Sequence, residues 1–333
     1  MTVSPPSPSR PCRPAALLAS WLLLAAGAST AGELFAPGVV SGPFNETSAS
    51  FTPGGDTVYF TRGDFVSSQT VILSAERMEE GYGNVRVAAF SGIWKDSEPH
   101  VSPDGRRLFF VSNRPENPGG ASPVGTMNGR TFPGSNIWYV DRNDTGWGEP
   151  VRINGEVNRV PMVFNPSVAA NGNLYFSAHR EAADGGYQIY VAPWTGDGYG
   201  APQRLEIGIG LSGSHMDPAI DPHERFLLFA GNEGDSLGAA DIYIVFRTGD
   251  GGWGAPIHLG SGINTRYLEN APTLGREFGE IFVTSMRPAP TTYPTPRRDF
   301  AQLQRSLEGP LNGSRNLWRF DISALLRKHG IQD

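Results

Sequence analysis

The stretch Asp96-Ser97-Glu98-Pro99-His100-Val101-Ser102-Pro103-Asp104-Gly105, running on through Leu108-Phe109-Phe110-Val111 to Ser112-Asn113-Arg114, sets the architecture expected of this chain. Two strand-length segments flank a Pro-Asp-Gly turn. Proline presets φ and glycine accepts the positive φ that a tight reversal needs, so the segment reads as a β-hairpin. Ile137-Trp138-Tyr139-Val140 supplies a third strand, and residues 146–153 a fourth with an aromatic residue just after its turn. Four consecutive antiparallel strands of this kind make one propeller blade.

The same order recurs. Phe164-Asn165-Pro166 leads through Asn171-Gly172 to Leu174-Tyr175-Phe176-Ser177, then to Ile189-Tyr190-Val191. His215-Met216-Asp217-Pro218 leads to Phe226-Leu227-Leu228-Phe229, then to Ile242-Tyr243-Ile244-Val245. Looser copies start at Glu46 and at Glu269-Asn270-Ala271-Pro272. With Ala49, Pro99, Pro166, Pro218 and Pro272 as equivalents, the spacings are 50, 67, 52 and 54 residues. A period of this length marks stacked supersecondary units that share a core. Gly-aromatic-Gly openings of a fourth strand occur at residues 81–83, 146–148, 198–200 and 252–254, leaving the fifth unit without one. Phe35-Ala36-Pro37-Gly38-Val39-Val40 matches the segment at 254–259 in its Ala-Pro and apolar end, and can supply the missing strand. The expected fold is all-β: a five-bladed β-propeller of four-stranded antiparallel blades at about 45–90, 95–154, 160–206, 213–260 and 267–322. A strand at 34–40 joins the last blade, and a short helical tail follows at 323–333. Closure in this way removes an edge that would otherwise invite pairing between chains.

Composition agrees. The 42 Gly and 28 Pro in 333 residues leave few stretches suited to long helices, and 39% hydrophobic against 18% charged residues is a globular balance. The net charge of −6 argues against nucleic acid as a partner, because that affinity comes from Lys and Arg neutralising phosphates. Arg10 and Arg13 precede an apolar run at 15–26 and small residues up to Ala31, which reads as a secretory signal peptide over 1–31. The run is too short to span a bilayer, so no transmembrane segment is expected, and a periplasmic or secreted location is. The one cysteine, Cys12, lies before that run, so a processed chain would hold neither a disulfide nor a cysteine nucleophile.

In such a blade the loop entering the first strand and the loop leaving the second share one end, here called the top. Loops at 113–135 and 286–315, the latter with Arg287, Arg297, Arg298 and Arg305, are long enough to carry function. The same end holds Glu46, Asp96, Glu98, Asn165, His215, Asp217, Glu269 and Asn270, expected around the channel mouth, with Arg114, Arg180 and Arg287 leaving second strands. Two readings compete. Converging carboxylates and His215 could bind a cation, a sugar or a basic partner; or the acids pair with Arg62, Arg114, Arg180 and Arg287, ion pairs that recur because the repeat does. The second is the simpler. No phosphate loop, His-Glu-x-x-His pair or EF-hand spacing is present, so no cofactor is expected, and metal content stays open. The segment at 210–214 departs from the nucleophile-elbow pattern at its last residue. Trp94, Trp138, Trp147, Trp194, Trp253 and Trp318 sit mostly at repeat-equivalent positions, as core residues would.

The Ser102-Pro103-Asp104-Gly105 turn, followed by Leu108-Phe109-Phe110 and Ser112-Asn113-Arg114, resembles the β-propeller repeat of the TolB family, over roughly residues 33–322. The resemblance implies a secreted or periplasmic propeller acting as a binding or scaffold module, with an envelope protein or a small-molecule or carbohydrate ligand at its top face. The chain departs from the TolB protein in carrying five repeats rather than six. The alternative is a glycoside-acting enzyme drawing on Asp96, Glu98, Asp217 and Glu269, since that chemistry needs two carboxyl groups flanking one cleft.

Overall fold

The computed structural model describes residues 32–127, 129–179, 186–207 and 213–333. The expected signal peptide, Arg180 and most of the 210–214 segment lie outside them. Five antiparallel sheets stand in a ring as the blades of a β-propeller. Blade 1 comprises Asn45–Phe51, Thr57–Gly63, Thr70–Arg77 and Tyr82–Val87. Blade 2 has Asp96–Val101, Arg107–Ser112 and Asn136–Asn143, and its outer strand is broken into Gly146–Trp147 and Val151–Arg152. Blade 3 has Val163–Val168, Leu174–His179, Tyr187–Ala192 and Gln203–Arg204; blade 4 has His215–Ile220, Phe226–Gly231, Asp241–Phe246 and Ile257–His258. Blade 5 combines Glu269–Leu274, Glu280–Ser285 and Asn316–Asp321 with Glu33–Leu34 from the other end of the chain.

That closing strand is shorter than the sequence implied. Glu33 and Leu34 pair with Arg319 and Trp318, and the Phe35 N–H donates to the Leu317 carbonyl at 2.8 Å. Pro37 and Gly38, the latter at φ 81°, then turn the chain so that Val40 is fully buried between blades 1 and 5. Phe35 packs edge-on against Phe282 and Tyr82, with ring centroids 4.7 and 5.6 Å away.

The core lies between blades, because side chains alternate along a strand. Leu108 and Phe110 face blade 1, where they meet Tyr59 and Ile72, whereas Phe109 and Val111 face blade 3, where they meet Val163 and Phe176. Both faces of a second strand are therefore apolar, and it reads as an unbroken hydrophobic run. The indoles divide differently from the expectation. Trp138 is 6% exposed, but Trp94 and Trp194 are 39% and 36% exposed and do not belong to the core.

The innermost strands share a device that sets up the channel. Each slips register at a β-bulge, and in each one residue there takes left-handed φ: Ser48 at 57°, Glu98 at 56°, Asn165 at 47°, Asp217 at 57° and Ala271 at 44°. For residues other than glycine this costs roughly 1–2 kcal/mol apiece. Neighbouring blades stabilise it by taking up the freed backbone groups. The Glu98 N–H donates to Thr61 Oγ1 and the Asp217 N–H to Ser177 Oγ, each at 2.8 Å. The Asn165 N–H donates to Glu98 Oε2 at 2.6 Å, and the Ala271 N–H to Asp217 Oδ2 at 3.0 Å. Three residues further along, Val101, Val168 and Ile220 donate to Ser50 Oγ, His100 Nε2 and Ser167 Oγ.

His100 links the fold to pH. Burial pushes its pKa down to about 4, so the ring is neutral and its Nε2 accepts from Val168 at 2.9 Å. A depressed histidine adds stability that is full above the unfolded value of about 6.5 and falls as pH drops toward 4. His100→Ala leaves the Val168 N–H without an acceptor and is expected to cost about 1–3 kcal/mol at pH 7. Urea melts at pH 4.5 and 7 should show that cost shrinking in acid; an equal loss at both would mean that the ring does not titrate in the fold.

Candidate functional site

The polar residues at the top separate into two sets. The first faces the blades. Asp96 pairs with Arg114 at 2.9 Å, Glu46 with Arg62 at 2.9 Å and Glu269 with Arg287 at 3.4 Å, all three carboxylates being fully buried. Blades 2 and 5 use one local motif. Arg114 donates through its main-chain N–H and Nε to Ser112 Oγ at 3.2 and 2.9 Å, and Arg287 repeats both distances on Ser285. The guanidinium groups then lie over Trp138 and Trp318, 5.3 and 4.7 Å from the ring centroids. Burial raises the Asp96 pKa against the pull of Arg114 and pushes Glu46 up to about 7 against its donors from Gly42, Arg62 and Asn316. In blade 4 His215 stands where the acids stand and bonds Glu233 at 2.5 Å. Blade 3 has Val163 at that place.

The second set lies at the bulges, on the channel. Glu98, Asn165 and Asp217 form a chain across three blades: Glu98 accepts from the Asn165 N–H, and the Asn165 side-chain amide donates to Asp217 Oδ1. Asp217 Oδ2 accepts from Asn270 Nδ2 at 3.1 Å and from the Ala271 N–H. Asp217 is 5% exposed, and burial raises its pKa despite these donors. Among the described residues neither Glu98 nor Asp217 has a cation within ion-pair distance. Burial first, and the charge of Asp217 second, push Glu98 up to about 8.

Above this chain lies a cavity of about 200 Å³, walled by Glu98, Asn165, Asn270, Arg315, Lys95 and Phe164 among others. Four of its lining residues each hold a buried polar atom that finds no partner among the described residues: Ser48 Oγ, Thr70 Oγ1, Asn270 Oδ1 and Arg315 Nε. Other partnerless atoms, such as the indole nitrogens of Trp138, Trp253 and Trp318, are spread singly over blades 2, 4 and 5. Desolvating a donor or acceptor without compensation costs ~1–3 kcal/mol. Several such atoms around one hollow therefore describe a place that a polar guest would complete. The cavity at the opposite end of the channel is larger, about 340 Å³, but is walled by Pro99, Pro166, Pro218 and Pro272. Its Ser50, His100 and Ser167 are occupied by the bonds between blades, and Thr273 Oγ1 is left free there.

Glu98 carries a testable consequence. Its raised pKa means that its contribution to stability is full below the unfolded value of 4.5 and declines as pH rises through about 8. The limiting slope is about 1.4 kcal/mol per pH unit, reduced by whatever solvent reaches the carboxyl. Glu98→Gln keeps an acceptor for Asn165 and removes the titration. It is expected to melt near the parent at pH 5 and above it at pH 9; a lower melting temperature at pH 9 would contradict the assignment.

Reasoning from sequence placed Asn165, Asp217, Asn270 and Glu98 at the mouth, where they meet. It placed Glu46, Asp96, His215, Glu269, Arg114 and Arg287 there as well, and these turn to the blade interfaces. It passed over Arg315 and Lys95. Arg297, Arg298 and Arg305 belong to a separate segment around the exposed helix Phe300–Leu307 and do not line the cavity. Arg315 immediately precedes the third strand of blade 5, and no local motif marks it. Among the described residues no group of three or more His, Cys, Asp or Glu is placed to hold a metal, and no helix is long and apolar enough to cross a membrane.

These features define a five-bladed β-propeller with a polar cavity at one mouth of its channel. No protein-family model matches the sequence. No curated protein matches it either. Solved structures do match in fold. An α-L-arabinofuranosidase from Lactobacillus brevis is similar over 86% of this chain and 92% of its own, at 12% identity and TM-score 0.52. A thermostable family-43 glycoside hydrolase is similar over 86% and 94%, at 11% identity and TM-score 0.51. TolB from Acinetobacter baumannii is similar at 15% identity and TM-score 0.45 over 84% of this chain, which spans 55% of the TolB structure. At such identities the likeness is one of fold.

Proposed function

We propose that the protein is a binding module that takes a small polyhydroxylated, sugar-like ligand in the cavity at the top mouth of its channel. The observation that carries this reading is that four residues lining one cavity, Ser48, Thr70, Asn270 and Arg315, each hold a polar atom without a partner among the described residues. They mix donors and acceptors, as hydroxyl groups require, and the ring of Phe164 offers an apolar surface beside them. With the signal peptide expected from the sequence, the place of action is the periplasm or the cell exterior.

A second reading, glycoside cleavage, draws support from Glu98, a carboxyl kept protonated near neutrality as a general acid must be. It lacks the second group. Both oxygens of Asp217 are held by N–H donors and the residue lies behind Asn165 and Asn270, so it is poorly placed to activate water. Calorimetric titration with neutral mono- and disaccharides, beside an assay for released reducing ends, separates the two. Binding that weakens about ten-fold in Asn270→Ala, without release of reducing ends, is expected. Turnover abolished by Glu98→Gln would establish the enzyme instead, and binding unaffected by Asn270→Ala would remove the site.

A further inference from the structure

Among the described arginines at the top of the blades, Arg62 is paired with Glu46, Arg114 with Asp96 and Arg287 with Glu269. Arg315 is the exception. Its main-chain N–H donates to Asn45 Oδ1, but its guanidinium makes no hydrogen bond and no ion pair with any described residue. Nε is shut off from solvent without an acceptor. The nearby carboxylates do not answer it. Glu98 is engaged by the Asn165 N–H, and Asp217 by Asn165, Asn270 and Ala271; the two attract Arg315 only at a distance. A half-buried guanidinium with an open fork on a cavity wall is a receptor for a planar anion, which it can grip through two parallel N–H bonds. The second cation on that wall, Lys95, is also in no ion pair among the described residues.

We infer that the ligand of this cavity carries a carboxylate, read by Arg315, and is thus an acidic sugar of the uronic-acid class. This rests on the sugar-binding reading and sharpens it. The size agrees, since about 200 Å³ is room for one ring-sized group rather than a long chain. The balance of charge favours carboxylate over phosphate. The Asp217 carboxylate already offsets part of the charge of Arg315 and Lys95, so one added negative charge is matched by the cations among the lining residues, whereas a doubly charged phosphate would exceed it.

The test is calorimetric titration of the full chain with three probes that differ only at one ring substituent: D-galacturonate, D-galactose and D-galactose 6-phosphate, with the glucose series run in parallel. Galacturonate or glucuronate is expected to bind at least about ten-fold more tightly than its neutral counterpart. Arg315→Gln should erase that ratio, weakening the acidic sugar at least about ten-fold more than its neutral counterpart. Arg86→Gln, which removes an exposed charge far out on blade 1, should leave the ratio as it was, and equal melting temperatures would show all variants folded. Neutral and acidic sugars binding alike, or a ratio that survives Arg315→Gln, would overturn the carboxylate while leaving sugar binding intact. Tighter binding of the phosphate would overturn it in favour of another anion, and binding of none of the probes would overturn both readings.

Discussion

Removal of residues 32–42 is expected to abolish cooperative unfolding rather than merely lower the melting temperature. The segment takes away the outer strand of blade 5, and with it Phe35, set against Phe282 and Tyr82, and Val40, buried completely between the first and last blades. Each such side chain stabilises by about 1.5–3 kcal/mol through burial. Polar groups are orphaned at the same time. Arg62 loses the carbonyls of Val39 and Val40, Asn316 loses that of Gly42, and Glu46 loses the Gly42 N–H. Together these losses rival the whole stability of an ordinary domain, about 5–15 kcal/mol. The exposed edge of Asn316–Asp321 would then pair between molecules. Guanidinium melts followed by circular dichroism, beside size-exclusion chromatography, check this: a broad transition and soluble aggregates are expected, and a sharp transition within about 1 kcal/mol of the parent would mean that the ring does not depend on its closure.

Asp96→Ala ranks next. It leaves Arg114, 8% exposed, with its charge uncompensated, and breaking a buried pair from one side costs about 3–5 kcal/mol. The backbone carbonyl of Phe90 and Ser112 Oγ still accept from the guanidinium, but neither neutralises it. Replacing both partners, as in Asp96→Ala with Arg114→Met, should recover most of the loss, because the main cost is an isolated charge rather than the missing attraction. Glu269→Ala is expected to cost less, since Arg287 is the more exposed of the two arginines and its pair is longer. Urea denaturation of the three variants gives the order directly; a double variant as unstable as Asp96→Ala would show that the pair matters for its geometry and not its charge.

The blade pattern was legible because its signals are local. Pro103-Asp104-Gly105 is turn chemistry, and Gly105 does adopt φ 70°. Two other local signals were present and passed over. Gly129, at φ 72°, stands between the hairpin strands Val124–Met127 and Arg130–Pro133 inside what reads as a loop. Asp299 and Gln302 form a capping box that starts the helix Phe300–Leu307 in the other long loop. The site was legible only in part. Asp96 and Glu98 are two residues apart, so a regular strand would point them the same way, and only the bulge between them sends Asp96 to the blade interface and Glu98 to the channel. Asparagine and aspartate tolerate left-handed φ, but glutamate, serine and alanine give no hint of it. The gap that Arg315 faces depends on where blades 2 and 4 put Glu98 and Asp217, which no stretch of sequence near it records.

The most direct test of the cavity as the binding site is a crystal structure of the protein grown with D-galacturonate. A single ordered ligand is expected at the top mouth, with its carboxylate on Arg315 and hydroxyl groups on Asn270 and Glu98. A ligand seated instead among Pro99, Pro166, Pro218 and Pro272 at the opposite end, or a top cavity holding nothing but water while binding is measured in solution, would contradict it.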